Sequence, residues 1–231
     1  MLYQILDKYF QNDFTKDIKS CLSKSSERLT VFDIGCYLGN FSRKIKKIFY
    51  NKKIDFYLFD PNPKLKIKDF KYNNIALSNK KGVFDYHLNT FFPSSGSSLK
   101  TLVKDDWLWN LTRKIVTLKF FKKFETLKVN VDLLDNFCEE RNISHIDIMK
   151  IDVEGSELEV LEGAKNIIKR TSIIQVEIYD EKKNYEEKVN RITSIMKNND
   201  FKLIKIKSTL SSQTLSKLKS ADALFINKNE L

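Results

Sequence analysis

The sequence is poor in residues that break or crosslink a chain. Its 231 residues include six glycines, three prolines, three cysteines and two histidines. The cysteines lie far apart, which excludes a disulfide framework or a closely spaced zinc site and predicts a reducing, cytoplasmic location. No run approaches the roughly 18 apolar residues that a membrane span needs. The N-terminus has an early acid, Asp7, and no cleavable apolar core, so no signal peptide is expected.

The formal charge is +11, and lysine supplies most of it. A basic chain can bind nucleic acid or an anionic membrane surface. These lysines are spread over the whole sequence, whereas nucleic-acid readers cluster Arg and Lys with aromatic residues, so charge alone does not predict nucleic-acid binding. Hydrophobic residues make up 42% of the chain and aromatic residues 12%. This composition predicts a packed globule, and the length fits a single domain over residues 1–231 or, less comfortably, two small domains.

Strand and helix patterns alternate along the chain. This alternation predicts βαβ units and a mostly parallel sheet. The last two strand candidates have no helix between them, which predicts a terminal antiparallel pair. Strands are predicted over residues 29–34, 55–59, 73–77, 83–88, 126–131, 146–151, 173–178, 201–206 and 223–226. Helices are predicted over residues 40–49, 133–141, 156–168 and 185–198.

Two segments lie outside this alternation. Apolar residues recur at helical spacing over residues 1–22, which predicts an N-terminal helical cap within residues 1–28. Residues 89–124 form a long insertion rich in serine, then in lysine and aromatic residues, with Trp107 and Trp109. Long insertions of this kind are typically functional lids or disordered linkers, and two tryptophans argue against simple disorder. We expect this insertion on the substrate side.

The most informative motif runs from Asp33 to Asn40. An apolar strand enters a turn that holds Gly35 and Gly39, and an amphipathic segment follows. Such a turn brings backbone N–H groups and a helix N-terminus close to a nucleotide-type ligand. The dinucleotide fingerprint Gly-x-Gly-x-x-Gly is absent, and the Asp33 carboxylate would repel a pyrophosphate and attract an ammonium group. Hydride transfer with a nicotinamide cofactor is therefore disfavoured.

Asp60 ends the next apolar strand and precedes Pro61. In doubly wound folds an acid at this position, roughly 20 residues after the glycine turn, binds ribose hydroxyls. A glycine turn, a nearby Asp33 and a ribose-binding acid together match S-adenosylmethionine, a nucleoside with a cationic amino-acid tail. The turn at Ala76, Leu77 and Ser78 could flank its adenine ring, although an ordinary strand end has the same pattern.

Three further carboxylates follow predicted strands. Asp152 and Glu154 come directly after the strand over residues 146–151, and Glu177 ends the strand that begins at Ile173. Ligands of open α/β sheets lie at the carboxyl ends of the strands. These acids could orient an acceptor hydroxyl, accept its proton or hold a divalent cation. The alternative is that one of them caps a helix, and we expect Glu157 to serve the helix dipole.

Taken together, these motifs resemble the FkbM-type methyltransferases. The resemblance covers roughly residues 29–179, and its most specific part is Lys-Ile-Asp-Val-Glu-Gly-Ser-Glu over residues 150–157. It implies a class I, Rossmann-like α/β fold, with a mostly parallel seven-stranded sheet, an antiparallel last strand and helices on both faces. It also implies S-adenosylmethionine-dependent O-methylation, commonly of sugars or of natural products.

The resemblance assigns roles to individual residues. Asp33, Gly35 and Gly39 would line the methionine end, Asp60 would hold the ribose, and Ala76 to Ser78 would flank the adenine. The turn residues Tyr37, Asn40 and Pro61 belong to the same cofactor-binding set. Asp152 and Glu154, with Glu177 as a further candidate, would face the transfer site. The acceptor stays open between a sugar or glycan, a secondary metabolite and a nucleic acid, and a member that binds the cofactor without transfer is a further alternative.

Overall fold

The computed structural model of the protein describes residues 13–22, 27–89, 97–100, 124–208 and 218–230. Within the predicted cap the structure describes residues 13–22 and 27–28, and most of the predicted insertion, including Trp107 and Trp109, lies outside the described residues. Within the part that the structure describes, no helix has the length and apolar character needed to cross a membrane.

The described segments form a three-layer α/β arrangement. The strands are β1 (Arg28–Ile34), β2 (Lys53–Phe59), β3 (Lys71–Asn73), β4 (Ala76–Leu77), β5 (Gly82–Asn89), β6 (Phe124–Asp132), β7 (Ile146–Ile151), β8 (Thr171–Glu181), β9 (Phe201–Ser208) and β10 (Leu218–Asn227). The α-helices are α1 (Thr15–Cys21), α2 (Asn40–Ile48), α3 (Leu134–Glu140), α4 (Glu157–Glu162) and α5 (Lys182–Asn198), with short 3₁₀ helices at Ile167–Arg170 and Lys228–Glu230.

The main sheet has seven strands in the order β3-β2-β1-β7-β8-β10-β9. Strands β3, β2, β1, β7 and β8 run parallel to one another, and β10 is antiparallel to both of its neighbours, β8 and β9. The predicted Rossmann-like sheet with an antiparallel last strand is therefore confirmed. The order reverses direction between β1 and β7, and ligands of open α/β sheets bind at such a switch point.

Alternation along β1 sorts its side chains onto the two faces of this sheet. Leu29 and Val31 belong to a core cluster with residues of α1 and α2. Phe32 and Ile34 belong to a second cluster with residues of α3, α4 and α5. Successive strand residues point to opposite faces, so one apolar strand serves both layers. The helices on both faces, which the family resemblance implied, are confirmed.

A second sheet of three strands, in the order β4-β6-β5, was not expected. The predicted strand over residues 73–77 is divided, because Lys71–Asn73 pairs with β2 while Ala76–Leu77 pairs with β6. Asn74 lies between the two pieces and donates its side-chain amide to the Asp60 carbonyl at 3.0 Å. The chain therefore changes sheets beside Asp60, and the second sheet becomes a wall next to the ends of the main strands.

The helix predicted over residues 156–168 is also divided. Helix α4 ends at Glu162, and a 3₁₀ helix follows from Ile167. A β-carbon at Gly163 would lie 2.1 Å from the Ser78 carbonyl oxygen, so the chain passes very close to the end of β4. The Asp135 carboxylate then accepts the amides of Asn166 and Ile167. Tertiary contacts at this point replace the continuing helical hydrogen bonds.

Candidate active site

The glycine turn is built against the ends of two neighbouring strands. Gly35 and Gly39 have φ of +77° and +76°, in the left-handed region that favours glycine. The Gly35 and Cys36 amides donate to the Phe59 carbonyl at 2.9 and 3.0 Å. A β-carbon at Gly35 would lie 1.7 Å from the carbonyl oxygen of Asp152. The turn is therefore in backbone contact with the end of β7, where the candidate catalytic carboxylates begin.

Asp60, at the end of β2, closes the other side of this turn. One carboxylate oxygen accepts the Tyr37 amide at 3.0 Å, and the other accepts the Asn62 amide at 2.9 Å. Burial raises the pKa of Asp60 to about 6, although the two amides act in the opposite direction. Each carboxylate oxygen has a second acceptor site, so the ionised group can still bind hydroxyl donors.

A cavity, called here the first cavity, opens beside Gly35 and Asp60. It brings together most of the residues predicted to bind the cofactor or to act in catalysis. Those residues are Gly35, Tyr37, Asp60, Pro61, Ala76, Leu77, Asp152 and Glu154.

Four predicted cofactor residues do not line the first cavity: Asp33, Gly39, Asn40 and Ser78. Asp33 is only 1% exposed, and its carboxylate accepts the hydroxyl of Ser42 at 2.7 Å. Burial raises the pKa of Asp33, and Lys150 opposes that shift. Asp33 therefore ties β1 to α2. Gly39 is packed against Leu58, because a β-carbon at Gly39 would lie 3.0 Å from the Leu58 side chain.

Several residues that line the first cavity were not among the predicted site residues. Tyr86 comes from β5 in the second sheet, and Ser97, Ser98 and Leu99 come from the described part of the insertion. The segment is held by the Ser98 amide, which donates to the His87 carbonyl at 3.2 Å, and by an ion pair between Lys100 and Glu159 at 2.6 Å. Neither helical nor strand periodicity signals a lining role for such a segment.

Asp152 is the centre of a buried ionic group. The Lys150 ammonium lies 2.5 Å from its carboxylate, and their side chains are 7% and 13% exposed. Burial would raise the pKa of Asp152, but Lys150 and a hydrogen bond with Glu177 outweigh burial and hold the pKa below its usual value. Burial, followed by the negative charge of Asp152, raises the pKa of Glu177 well above its usual range. We therefore assign the negative charge to Asp152 and a proton to Glu177.

Asp152 also separates the first cavity from a second one. This second cavity is lined by Asp13, Phe14, Thr15, Phe41, Lys44, Lys150, Asp152, Gln175, Glu177 and Asp222. Its wall therefore includes the start of α1, in the described part of the predicted cap. Asp152 is the one predicted catalytic residue that both cavities share among their described lining residues.

Three carboxylates are close enough to share a ligand. Atoms of Asp152, Glu154 and Glu177 lie within 4.8 Å of one another, and such a group could hold a metal ion. The Lys150 ammonium already neutralises part of this charge. The structure thus brings the three predicted catalytic carboxylates together, and Lys150 is the partner that the sequence reading did not assign.

The donor set of the first cavity fits S-adenosylmethionine. Asp60 offers acceptors for ribose hydroxyls, while Ile75, Ala76 and Leu77 offer an apolar wall for a flat ring. Asp152 and Glu154 add two more carboxylates, and the described lining residues include no lysine or arginine. Negative charge of this kind favours a cationic ligand and disfavours a phosphate.

The fold and this site define a Rossmann-like methyltransferase. A family model described as the methyltransferase FkbM domain matches residues 33–203. The chain belongs to the FkbM methyltransferase family, and it is an S-adenosylmethionine-dependent methyltransferase. The resemblance inferred from the motifs is confirmed.

The individual relatives share only low sequence identity with this chain. The chain is 26% identical, over 182 residues, to the 2-O-methyltransferase NoeI of Sinorhizobium fredii, and the match covers 72% of this chain and 69% of that protein. The structure of methyltransferase FkbM from Methylobacillus flagellatus is 11% identical with a TM-score of 0.49, and the match covers 97% of this chain but only 57% of that one. M. jannaschii TYW2 is 14% identical with a TM-score of 0.39, and the match covers 96% of this chain and 80% of that chain.

The environment of Asp60 predicts a pH dependence of ligand binding. Because the pKa of Asp60 is raised to about 6, its protonated fraction grows as the pH falls through that value. A protonated carboxyl has lost part of its capacity to accept ribose hydroxyls. We expect the affinity for S-adenosylhomocysteine to be constant above about pH 7 and roughly tenfold weaker near pH 5, as calorimetry would measure. In Asp60→Asn the affinity should be weak and show no inflection near pH 6, and a wild-type inflection in this variant would contradict the assignment.

Proposed function

We propose that the protein transfers the methyl group of S-adenosylmethionine to a hydroxyl group of a sugar or glycan. The observation that carries this proposal is Asp152, a carboxylate held in its ionised form by Lys150 in the wall between two cavities. A neutral hydroxyl needs a hydrogen-bond acceptor that orients its lone pair toward the methyl carbon. The similarity to a 2-O-methyltransferase supports an oxygen acceptor.

The mechanism assigns a separate task to each group. S-adenosylmethionine, when bound, supplies a methyl group on a positively charged sulfur that is already a good leaving group. Asp60 binds the ribose, and Ala76 and Leu77 pack against the adenine. Asp152 would accept the hydrogen bond of the acceptor hydroxyl and take its proton as the new oxygen–carbon bond replaces the carbon–sulfur bond of the donor. A carboxylate with a lowered pKa suffices, because a hydroxyl becomes strongly acidic once it is methylated.

Two outlying segments complete the proposed site. Residues 1–28 would act as an N-terminal cap, which Asp13, Phe14 and Thr15 support because they line the second cavity. Residues 89–124 would act as the substrate-side insertion, which Ser97, Ser98 and Leu99 support because they line the first cavity. In this arrangement both segments belong to a single methyltransferase domain over residues 1–231.

The test is methyl transfer to defined acceptors. Protein would be incubated with S-adenosylmethionine carrying a labelled methyl group and a panel of methyl glycosides, with single-stranded RNA and catechol as other acceptors. We expect label in an alkali-stable ether on a glycoside. Transfer only to RNA or only to catechol would overturn the sugar assignment.

The same assay decides between a carboxylate and a metal centre. We propose that Lys150 takes the place that a divalent cation would otherwise occupy, because its ammonium already lies 2.5 Å from Asp152. Turnover should therefore survive treatment with EDTA. A loss that Mg²⁺ restores would instead place a cation among Asp152, Glu154 and Glu177.

A further inference from the structure

A second buried ion pair lies just outside the first cavity. Lys188 of α5 and Glu157 of α4 are 3% and 0% exposed, and the ammonium lies 2.6 Å from the carboxylate. Burial raises the pKa of Glu157, while Lys188 and the Gly155 amide oppose that shift. Neither residue lines the first or the second cavity. A buried ion pair is a poor source of stability, since well-packed apolar residues often do as well or better.

This pair holds both backbone polar groups of one residue, Gly155. The Gly155 amide donates to the Glu157 carboxylate at 2.7 Å, and Lys188 donates to the Gly155 carbonyl at 2.8 Å. Gly155 and the preceding Glu154 have φ of +110° and +53°, so the turn after β7 is in a conformation that most residues avoid. Contacts that fix both sides of Gly155 therefore fix the direction in which the chain leaves Glu154.

Lys188 also reaches the neighbouring strand. Its ammonium donates to the Tyr179 carbonyl at 2.8 Å, two residues beyond Glu177 on β8. It lies 3.8 Å from the Asp180 carboxylate as well. One side chain thus joins the end of β8, which carries Glu177, to the turn that carries Glu154. The three candidate carboxylates come from these two chain segments.

We propose that Lys188 and Glu157 are positioning residues that hold the Glu154 carboxylate in the first cavity, where it favours the cationic methyl donor over its neutral product. This inference rests on the proposed donor site. S-adenosylmethionine carries a sulfonium charge that S-adenosylhomocysteine lacks. The ratio of the two affinities therefore reports how well the cavity carboxylates are placed, and its measurement needs no methyl acceptor.

The experiment compares these affinities by calorimetry in wild type, Glu154→Gln and Lys188→Met. Glu154→Gln should reduce the preference for S-adenosylmethionine by about three- to tenfold, with little change in S-adenosylhomocysteine binding, because one nearby charge is lost. Lys188→Met should reduce the preference in the same direction. The double variant should lose no more than Glu154→Gln alone, because both changes act on one group.

Two further variants keep the test decisive. Glu186 lies on the same helix as Lys188 and forms a surface ion pair with Lys219 of β10. Glu186→Gln removes that pair and should leave the ratio of the two affinities unchanged. Glu157→Gln retains an acceptor for the Gly155 amide but weakens the pairing with Lys188, so it serves if Lys188→Met does not fold. If folded Lys188→Met, or Glu157→Gln in its place, has the wild-type ratio of the two affinities, the positioning inference is overturned and the proposed donor site still stands. Wild-type protein that binds neither ligand would instead overturn the proposed donor site.

Discussion

Asp152→Asn is expected to lower turnover by about a hundredfold or more, which is the usual scale for loss of a positioned proton acceptor. Asparagine keeps the size and shape of the side chain but removes the charge that attracts the hydroxyl proton. Asp152 lines both cavities, so removal of its charge affects the transfer step directly. Binding of S-adenosylhomocysteine should change by no more than about twofold, since most donor contacts come from other residues.

The fold should survive this substitution because of Glu177. Glu177 hydrogen-bonds with Asp152, and its pKa is raised first by burial and then by the Asp152 charge. When that charge is removed, the pKa of Glu177 should fall, and Glu177 can then supply the negative charge beside Lys150. Thermal unfolding of Asp152→Asn should therefore show a small loss of stability, not the large loss that follows when a buried ammonium has no partner.

Glu177→Gln is the matched control for Asp152→Asn. Because we assign the proton to Glu177, an amide resembles its protonated form and can still donate to Asp152. Turnover should fall by less than about tenfold, a smaller loss than for a proton acceptor. Equal losses in the two variants would mean that the proton and the charge are shared differently, and wild-type turnover in Asp152→Asn would remove Asp152 from the mechanism.

Much of the main sheet could be predicted because most of its strands are short runs rich in apolar residues. The strand over residues 146–151 was predicted with the observed bounds, and every residue in it is buried. The carboxyl ends of parallel strands share one edge, so Asp60 and Asp152 could be placed near each other from their positions alone. The second sheet could not be predicted, since Ala76 and Leu77 pair with β6, far along the chain.

The site was harder to predict where a side chain turns inward. Asp33 follows the motif of a ligand-binding acid, yet in the structure its carboxylate bonds to Ser42. Lys150 did carry a signal, because it interrupts a buried strand and lies two residues from Asp152, on the same face. A lysine in such a place needs a buried anion. Tyr86 carried none, because its role depends on how the second sheet packs.

Gly35→Ala is expected to be among the most destabilising single substitutions in the chain, at about 4 kcal/mol or more. The left-handed φ of +77° accounts for only about 1 kcal/mol of this loss in alanine. The larger part comes from the new β-carbon, which would lie 1.7 Å from a backbone oxygen of Asp152. No rotamer change can relieve an overlap between β-carbon and backbone, so β1 and β7 would have to separate.

Gly39→Ala isolates the contribution of backbone strain within the same turn. Its φ of +76° is almost the same, but its β-carbon would meet the Leu58 side chain at 3.0 Å, and a side chain can shift. We expect a loss near 1–2 kcal/mol, mostly strain. Denaturant unfolding of both variants measures the difference. Similar losses would show that the Gly35 contact relaxes easily. A much larger loss at Gly35 would show that the glycine turn and Asp152, just after β7, are held at one fixed spacing, and in-line methyl transfer requires such a fixed spacing.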